Sequence, residues 1–246
     1  MNMVELTILV PVYNEKDSIS RFVLEMNKFL AISPLKTSVL FVNDGSIDDS
    51  LNLIIQTVLN DSRYSYISLN ENKGLSTAIK AGIDFIESPY LGYIDADLQT
   101  SPMDFILFFD HLKEYDLING IRTHRHDSII KKLTSKIANG VRRTVIRDGI
   151  ADTCCPLKIM HTESAKRISF FNGMHRFIPA LIQLQGGRVK QIEVQHFDRM
   201  EGKSKYNFRN RLIGPFFDML AFVWMKKRNI SYVIKKSSIE NINQVR

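Results

Sequence analysis

The chain has 246 residues, 44% of them hydrophobic and 24% charged, enough to bury a real core and too apolar for wholesale disorder. Lys and Arg outnumber Asp and Glu, for a formal net charge of +7, which favours anionic partners such as phosphates, nucleic acid or an acidic membrane surface without choosing among them. Its two cysteines, Cys154 and Cys155, are adjacent and lack disulfide or metal-ligand spacing, the start carries no basic signal region, and no long uninterrupted apolar window occurs, so the expectation is a reducing cytoplasm and no transmembrane helix.

Leu6 to Tyr13 is a run rich in β-branched residues, stopped by Asn14 and Glu15. Asp17 and Ser18 then open a segment that puts Ile19, Phe22, Met26 and Phe29 on one face, so the order is strand, turn, helix. Thr37 to Val42 repeats the strand, ends in Asn43-Asp44-Gly45-Ser46 and passes through Asp48-Asp49-Ser50 into a second helix carrying Leu53, Ile54 and Val58. Asp48 is expected to cap that helix rather than bind a ligand. A third pass takes Tyr64 to Leu69 as strand, Asn70 to Gly74 as loop and Leu75 to Ile86 as helix. A fourth strand, Tyr90 to Ile94, ends in Asp95-Ala96-Asp97-Leu98-Gln99. Strands alternating with helices at this spacing imply an α/β fold with a mainly parallel sheet and right-handed crossovers.

In such a sheet, ligands bind beyond the carboxyl ends of the strands. Tyr13-Asn14-Glu15, Asn43-Asp44-Gly45-Ser46, Asn72-Lys73-Gly74 and Asp95-Ala96-Asp97 all fall there, and polar loops converging on one edge point to a nucleotide site. Two carboxylates one residue apart at a strand end can aim oxygens at one point, where a hard divalent cation, Mg²⁺ or Mn²⁺, would share them with a substrate diphosphate. The chain has neither G-x-G-x-x-G after the first strand nor G-x-x-x-x-G-K-[ST], which argues against a dinucleotide oxidoreductase or a P-loop ATPase.

Four blocks in order, Val10-Pro11-Val12-Tyr13-Asn14-Glu15, Val42 to Ser50, Tyr93 to Gln99 and His196 to Tyr206, resemble the family 2 glycosyltransferases of GT-A fold. Within them, Asp-Ala-Asp-Leu-Gln and Arg-x-x-Gly-x-Ser-Lys-Tyr resemble the branch of dolichol-phosphate mannosyltransferase and bacterial polyprenyl-phosphate sugar synthases. The resemblance implies a GT-A nucleotide-diphospho-sugar transferase domain at 1–207, an amphipathic interfacial helix at 208–228 and a polar tail at 229–246. It further implies that Pro11, Tyr13 and Glu15 line the nucleoside pocket and that Asp44 accepts hydrogen bonds from the base or sugar. Asp95 and Asp97 would hold the diphosphate through Mg²⁺ or Mn²⁺, Gln99 would complete the metal shell, and Ala96 and Ser204 would join the donor-binding set.

Pro102 to Lys113 is expected to be helical and Asp116 to Gly120 a strand, followed by a segment dense in cations. The family has Gly-x-Arg here, which assigns Arg122 to phosphate binding; His124 and His126 read as solvated. Ser128 to Arg147 reads as an amphipathic helix whose basic face meets either solvent or anionic headgroups. Asp152-Thr153-Cys154-Cys155-Pro156-Leu157-Lys158 resembles an Asp-Thr-Gly-Cys-x-Leu-Lys block with Cys154 in place of glycine. That exchange could narrow the acceptor end of the site and disfavours a positive φ there; both cysteines read as packing residues. His175-Arg176-Phe177 resembles a helix start of the same bacterial group, and Val189 to Val194 is a strand delivering His196, Arg199, Ser204 and Lys205 onto a loop suited to closing over phosphates. Leu212 to Met225, interrupted by Asp218 and followed by Lys226-Lys227-Arg228, is too short to span a bilayer and fits its interface, the competing reading being a helix packed on the catalytic domain or at a dimer contact.

With no enzyme nucleophile evident, the resemblance implies in-line displacement with inversion, served by Asp97, Arg122, Arg199 and Lys205. A polyprenyl phosphate brings an oxygen already anionic near neutral pH, whereas a hydroxyl acceptor needs a carboxylate base, for which Asp152 is the candidate. The leading expectation is an enzyme peripherally bound to the cytoplasmic face of a membrane, joining a monosaccharide from a UDP- or GDP-sugar to a polyprenyl phosphate. A homo-oligomer is compatible with the sequence. A non-catalytic nucleotide-sugar or membrane-binding module is the weaker alternative, and a nucleic-acid partner is not expected because no aromatic RNA platform accompanies the basic residues.

Overall fold

β1 (Leu6–Val12) buries every residue except Pro11, as a strand covered on both faces must. It pairs in parallel with β2 (Thr37–Asn43) and β4 (Tyr90–Tyr93), and β2 with β3 (Tyr64–Ser68). The computed structural model describes residues 3–123, 144–198 and 208–230, with side chains from 214 onward in the last segment. β4 follows β1 only as far as Leu9, so the missing N–H of Pro11 removes no bond to that neighbour.

Among the described residues the sheet has seven strands in the order β3-β2-β1-β4-β6-β5-β7. β5 (Leu117–Arg122) and β7 (Val189–Val194) are parallel to each other, and β6 (Lys158–His161) runs antiparallel between β4 and β5. That reversed strand was not foreseen: only Ile159 and Met160 are apolar in it, too short a run to signal a strand. Two cores follow from the alternation along β1. Leu6, Ile8, Val10 and Val12 pack with Phe22, Met26 and Phe29 of α1 (Lys16–Ile32), Ile54 of α2 (Ser50–Asn60) and Phe105 and Phe108. On the other face Leu9 packs with Ile79 and Ile83 of α3 (Leu75–Phe85), Ala165 of α4 (Thr162–Lys166) and Ile178 and Leu181 of α5 (Ile178–Leu184).

The expected helix from Pro102 is a 3-10 segment over Pro102–His111, its start closed by the Ser101 hydroxyl, which accepts the Met103 N–H. The basic segment around His124 and His126, most of Ser128 to Arg147, and Arg199, Ser204 and Lys205 lie outside the described residues. α6 (Phe208–Arg228) covers the span expected for the interfacial helix, and one side of it packs onto the domain. Met219 and Phe222 are buried there, Phe222 stacks on Phe177 at 5.3 Å, and Asp218 pairs with Arg176 at 3.1 Å. The carboxylate that interrupts the apolar run thus has a partner on the domain. The other side exposes Phe216, Phe217, Leu220 and Trp224. Among the described residues no helix is long and apolar enough to cross a membrane.

Candidate active site

The carboxyl ends of β1 and β2 are laced into one piece. Asn14 adopts φ 50, its N–H donates to Ser46 Oγ at 3.0 Å, and its side-chain oxygen accepts the Ile47 N–H at 2.8 Å. The Glu15 N–H donates to Ser50 Oγ at 2.8 Å. Asp48 takes the N–H of Ser50 on one oxygen and that of Lys16 on the other, so it serves the first residues of α2 and α1 together. The N-cap position of α2 falls to Asp49 rather than to Asp48 as expected, and Asp48, one residue earlier, ties the two helix starts together. Pro11, Tyr13 and Glu15 line this part of the edge, all partly exposed.

Asp44, 3% exposed, is the hub of the neighbouring loop. One of its oxygens accepts the Lys73 N–H at 2.8 Å; the other accepts the Gly74 N–H and the Asn72 side-chain amide, each at 2.9 Å. Gly45 adopts φ +62, and a Cβ there would stand 2.4 Å from the Glu71 carbonyl carbon, so only glycine lets the two loops meet this closely.

The β4 end holds Asp95, Ala96, Asp97 and Gln99. Tyr93 donates its hydroxyl to Asp95 at 2.7 Å, and the Gln99 N–H donates to Asp97 at 3.2 Å. Leu98 between them takes φ 55, an uncommon conformation for leucine that turns the chain sharply at this point. Burial first, and the adjacent Asp97 charge second, push the Asp95 carboxyl up to about 6. Behind the turn, the Gln99 carbonyl accepts hydrogen bonds from the Phe197 N–H and His196 Nδ1, both at 3.0 Å, which brings the chain after β7 against the Asp-x-Asp loop.

Across β6, Arg122 grips Asp152 with two parallel bonds, Nε at 2.8 Å and an Nη at 2.9 Å, with each side chain 13% exposed. Burial acts to raise the Asp152 carboxyl, but the Arg122 guanidinium outweighs it and the pKa ends below the ordinary carboxylate range. Such a group is a weak base. Lys158, 1% exposed, donates to the carbonyls of Cys155 and Thr153 and so closes the Asp152–Cys155 turn from beneath. Cys155 is buried and burial pushes its thiol up to about 11, a packing residue rather than a nucleophile. Cys154 is exposed and without a positive φ.

Sequence reasoning missed the connectors. Asn14, Ser46, Ser50 and Asn72 carry no chemistry of their own, and the contacts that matter join positions about thirty residues apart, which no local pattern displays. Ser76 and His175 were also missed as a pair; their atoms approach to 2.6 Å.

A mostly parallel sheet with one reversed strand beside β4, and an Asp-x-Asp turn at the loop-bearing edge, is the arrangement of a GT-A fold. The solved glucosyl-3-phosphoglycerate synthase of Mycobacterium tuberculosis, in complex with Mn²⁺, UDP-glucose and phosphoglyceric acid, matches with a TM-score of 0.68 at 12% identity, over 93% of this chain and 81% of that one. A mannosyltransferase from Pyrobaculum calidifontis, solved with GDP-Man and Mn²⁺, matches at 0.66 and 14% identity, over 94% of this chain and 66% of that one. The chain belongs to glycosyl transferase family 2, whose model matches residues 7–169. It is 29% identical over 219 residues to the undecaprenyl-phosphate 4-deoxy-4-formamido-L-arabinose transferase of Klebsiella pneumoniae (strain 342), covering 88% of this chain and 67% of that protein.

Proposed function

We propose that this glycosyltransferase moves a monosaccharide, with inversion, from a UDP- or GDP-sugar to a polyprenyl phosphate at a membrane surface, supplying a lipid-linked sugar for cell-envelope glycoconjugates. The observation that carries the choice of acceptor is the Arg122–Asp152 pair. A hydroxyl acceptor needs a base, and Asp152 would have to release its guanidinium to serve as one. A phosphate acceptor needs none. The Klebsiella relative is named for an undecaprenyl-phosphate transfer, which supports the same reading.

The donor set at the β4 end fits a hard divalent cation: the carboxylates of Asp95 and Asp97, the first with its pKa raised by burial and by the charge of the second, with Gln99 beside them. Among the described residues no group of three or more His, Cys, Asp or Glu converges, and Asp95, Asp97 and Gln99 are the residues that would hold a metal there. Mg²⁺ or Mn²⁺ so bound would offset the charge gathering on the departing nucleoside diphosphate. Pro11, Tyr13 and Glu15 would face the nucleoside, with Asp44 holding that wall in shape. Arg122, kept in place by Asp152, would meet phosphate, and Arg199, Ser204 and Lys205 would close over it.

α6 is proposed as the membrane contact. Phe216, Phe217 and Trp224, from 50% to 64% exposed, lie on its free side ahead of Lys226-Lys227-Arg228, the layout of an interfacial helix near anionic headgroups.

The test is a release assay with purified protein, Mg²⁺ or Mn²⁺ and a panel of UDP- and GDP-sugars, with and without a short polyprenyl phosphate. Nucleoside diphosphate and glycolipid should appear together and only with both metal and lipid phosphate. Transfer to a hydroxyl acceptor instead would overturn the acceptor assignment.

A further inference from the structure

The Gly173–Phe177 turn has no part in the reaction above, yet it is fixed from two sides. Toward α6, a Cβ on Gly173 would stand 2.2 Å from the Asp218 carboxylate, Arg176 pairs with Asp218, and Phe177 stacks on Phe222. Toward the sheet edge, the Gly173 N–H donates at 3.0 Å to the hydroxyl of Ser76, which is 3% exposed in the first turn of α3. That hydroxyl lies 2.6 Å from His175 Nδ1. With Ser76 Oγ already accepting from Gly173, and no other described acceptor for its hydrogen, the hydroxyl donates to Nδ1 and the imidazole carries its proton on Nε2.

Nε2 has no hydrogen-bond partner among the described residues, and it is not one of the sealed polar atoms lacking a partner. His175 itself is half-buried, so its ring is not sealed inside the core. Its surroundings are those of the site: α3 starts directly after the Asn72-Lys73-Gly74 turn held by Asp44, and Asn172 Oδ1 lies 4.0 Å from the Cβ position of Gly74. Lys158, beneath the Asp152 turn, is near enough to act on the imidazole.

We propose that His175 is a substrate-binding residue, presenting the Nε2–H of a neutral imidazole to an anionic phosphate oxygen. This rests on the glycosyl-transfer reading. Two sources carry that oxygen, the donor diphosphate and the lipid phosphate. Burial first, then the charges of Arg176 and Lys158, push the imidazole down to about 3, so the donor stays neutral near pH 7, and a group locked in place by Ser76 loses little freedom on binding.

The test uses the full chain labelled with ¹⁵N-histidine, titrated with Mg²⁺ plus UDP or GDP, and separately with farnesyl phosphate. The expected spectrum shows the Nε2-protonated tautomer, with the Nε2 resonance moving on the addition that supplies the oxygen. In turnover, His175→Leu should lose about 10-fold to 100-fold in kcat/KM for that substrate, while His175→Gln, whose amide nitrogen reaches the place of Nε2, should recover to within about threefold of wild type. A resonance unmoved by both additions overturns the proposal. So does a Gln variant as impaired as the Leu variant at equal melting temperature, which would reduce the imidazole to packing. Because the titration needs no turnover, failure of the wild type to glycosylate a polyprenyl phosphate would remove the acceptor reading and leave His175 to be judged by its resonance.

Discussion

Asp44 and Asp95 stand at the ends of the two strands flanking β1, on the same edge of the sheet, and the chain treats them in opposite ways. Asp44 is held by three N–H donors from its own chain. Asp95 receives one phenol and faces the charge of Asp97, which with burial raises its pKa to about 6. A carboxylate saturated by neutral donors is a strut. A carboxylate set against another is comfortable only when a proton or a cation joins them. The Arg122–Asp152 pair lies between the extremes, a buried charge already matched by an opposite one.

The largest effect should come from the β4 end. Asp97→Ala is expected to lower metal-supported transfer by at least about 100-fold while leaving the melting temperature near wild type; near-normal activity would sink the metal reading and the contrast with Asp44. Arg122→Met should instead unfold the protein more readily, by about 3–5 kcal/mol in urea titration, because it strands the buried Asp152 charge, and Arg122→Met combined with Asp152→Leu should regain much of that loss. Asp44→Ala strands neutral donors only, so a smaller cost of about 1–3 kcal/mol is expected. A variant at Asp44 that loses activity with unchanged stability would show a direct substrate contact and blur the distinction.

The parallel half of the sheet was legible because its apolar runs are long and its loops polar. Val189–Val194 and Leu75 as a helix start match the structure, and Tyr64, Tyr90 and Thr37 begin strands as expected. What stayed hidden depends on chain distance or on local geometry. β6 offers two apolar residues between Lys158 and His161, and nothing local shows that Lys158 donates inward to the carbonyls of Thr153 and Cys155. Asp95 and Asp97 were readable as a pair, but the left-handed Leu98 that turns the chain between Asp97 and Gln99 was not, since nothing in leucine predicts φ 55. Asp152 looked like a free carboxylate because its partner, Arg122, is thirty positions away. Asp218 looked like a flaw in an apolar helix for the same reason, its partner Arg176 being on another element.

The smallest expected effect sharpens the comparison from the side of a base rather than an acid. His175 is held neutral in the folded protein down to about 3, against an ordinary value of 6.5 in the unfolded chain. Between those values the unfolded chain binds more protons, so this group makes stability fall as pH drops below 6.5. Asp95, raised to about 6 from 3.8, binds its proton more tightly when folded and works the other way, its contribution being full below 3.8 and lost as pH rises through about 6. Comparing wild type with His175→Gln at each pH cancels the Asp95 contribution. Wild type should lose roughly 0.5–1 kcal/mol more than the variant between pH 7 and pH 6 in urea titrations. Equal losses would mean that the imidazole takes up its proton in the folded state, and then neither the hydroxyl of Ser76 nor burial holds its tautomer.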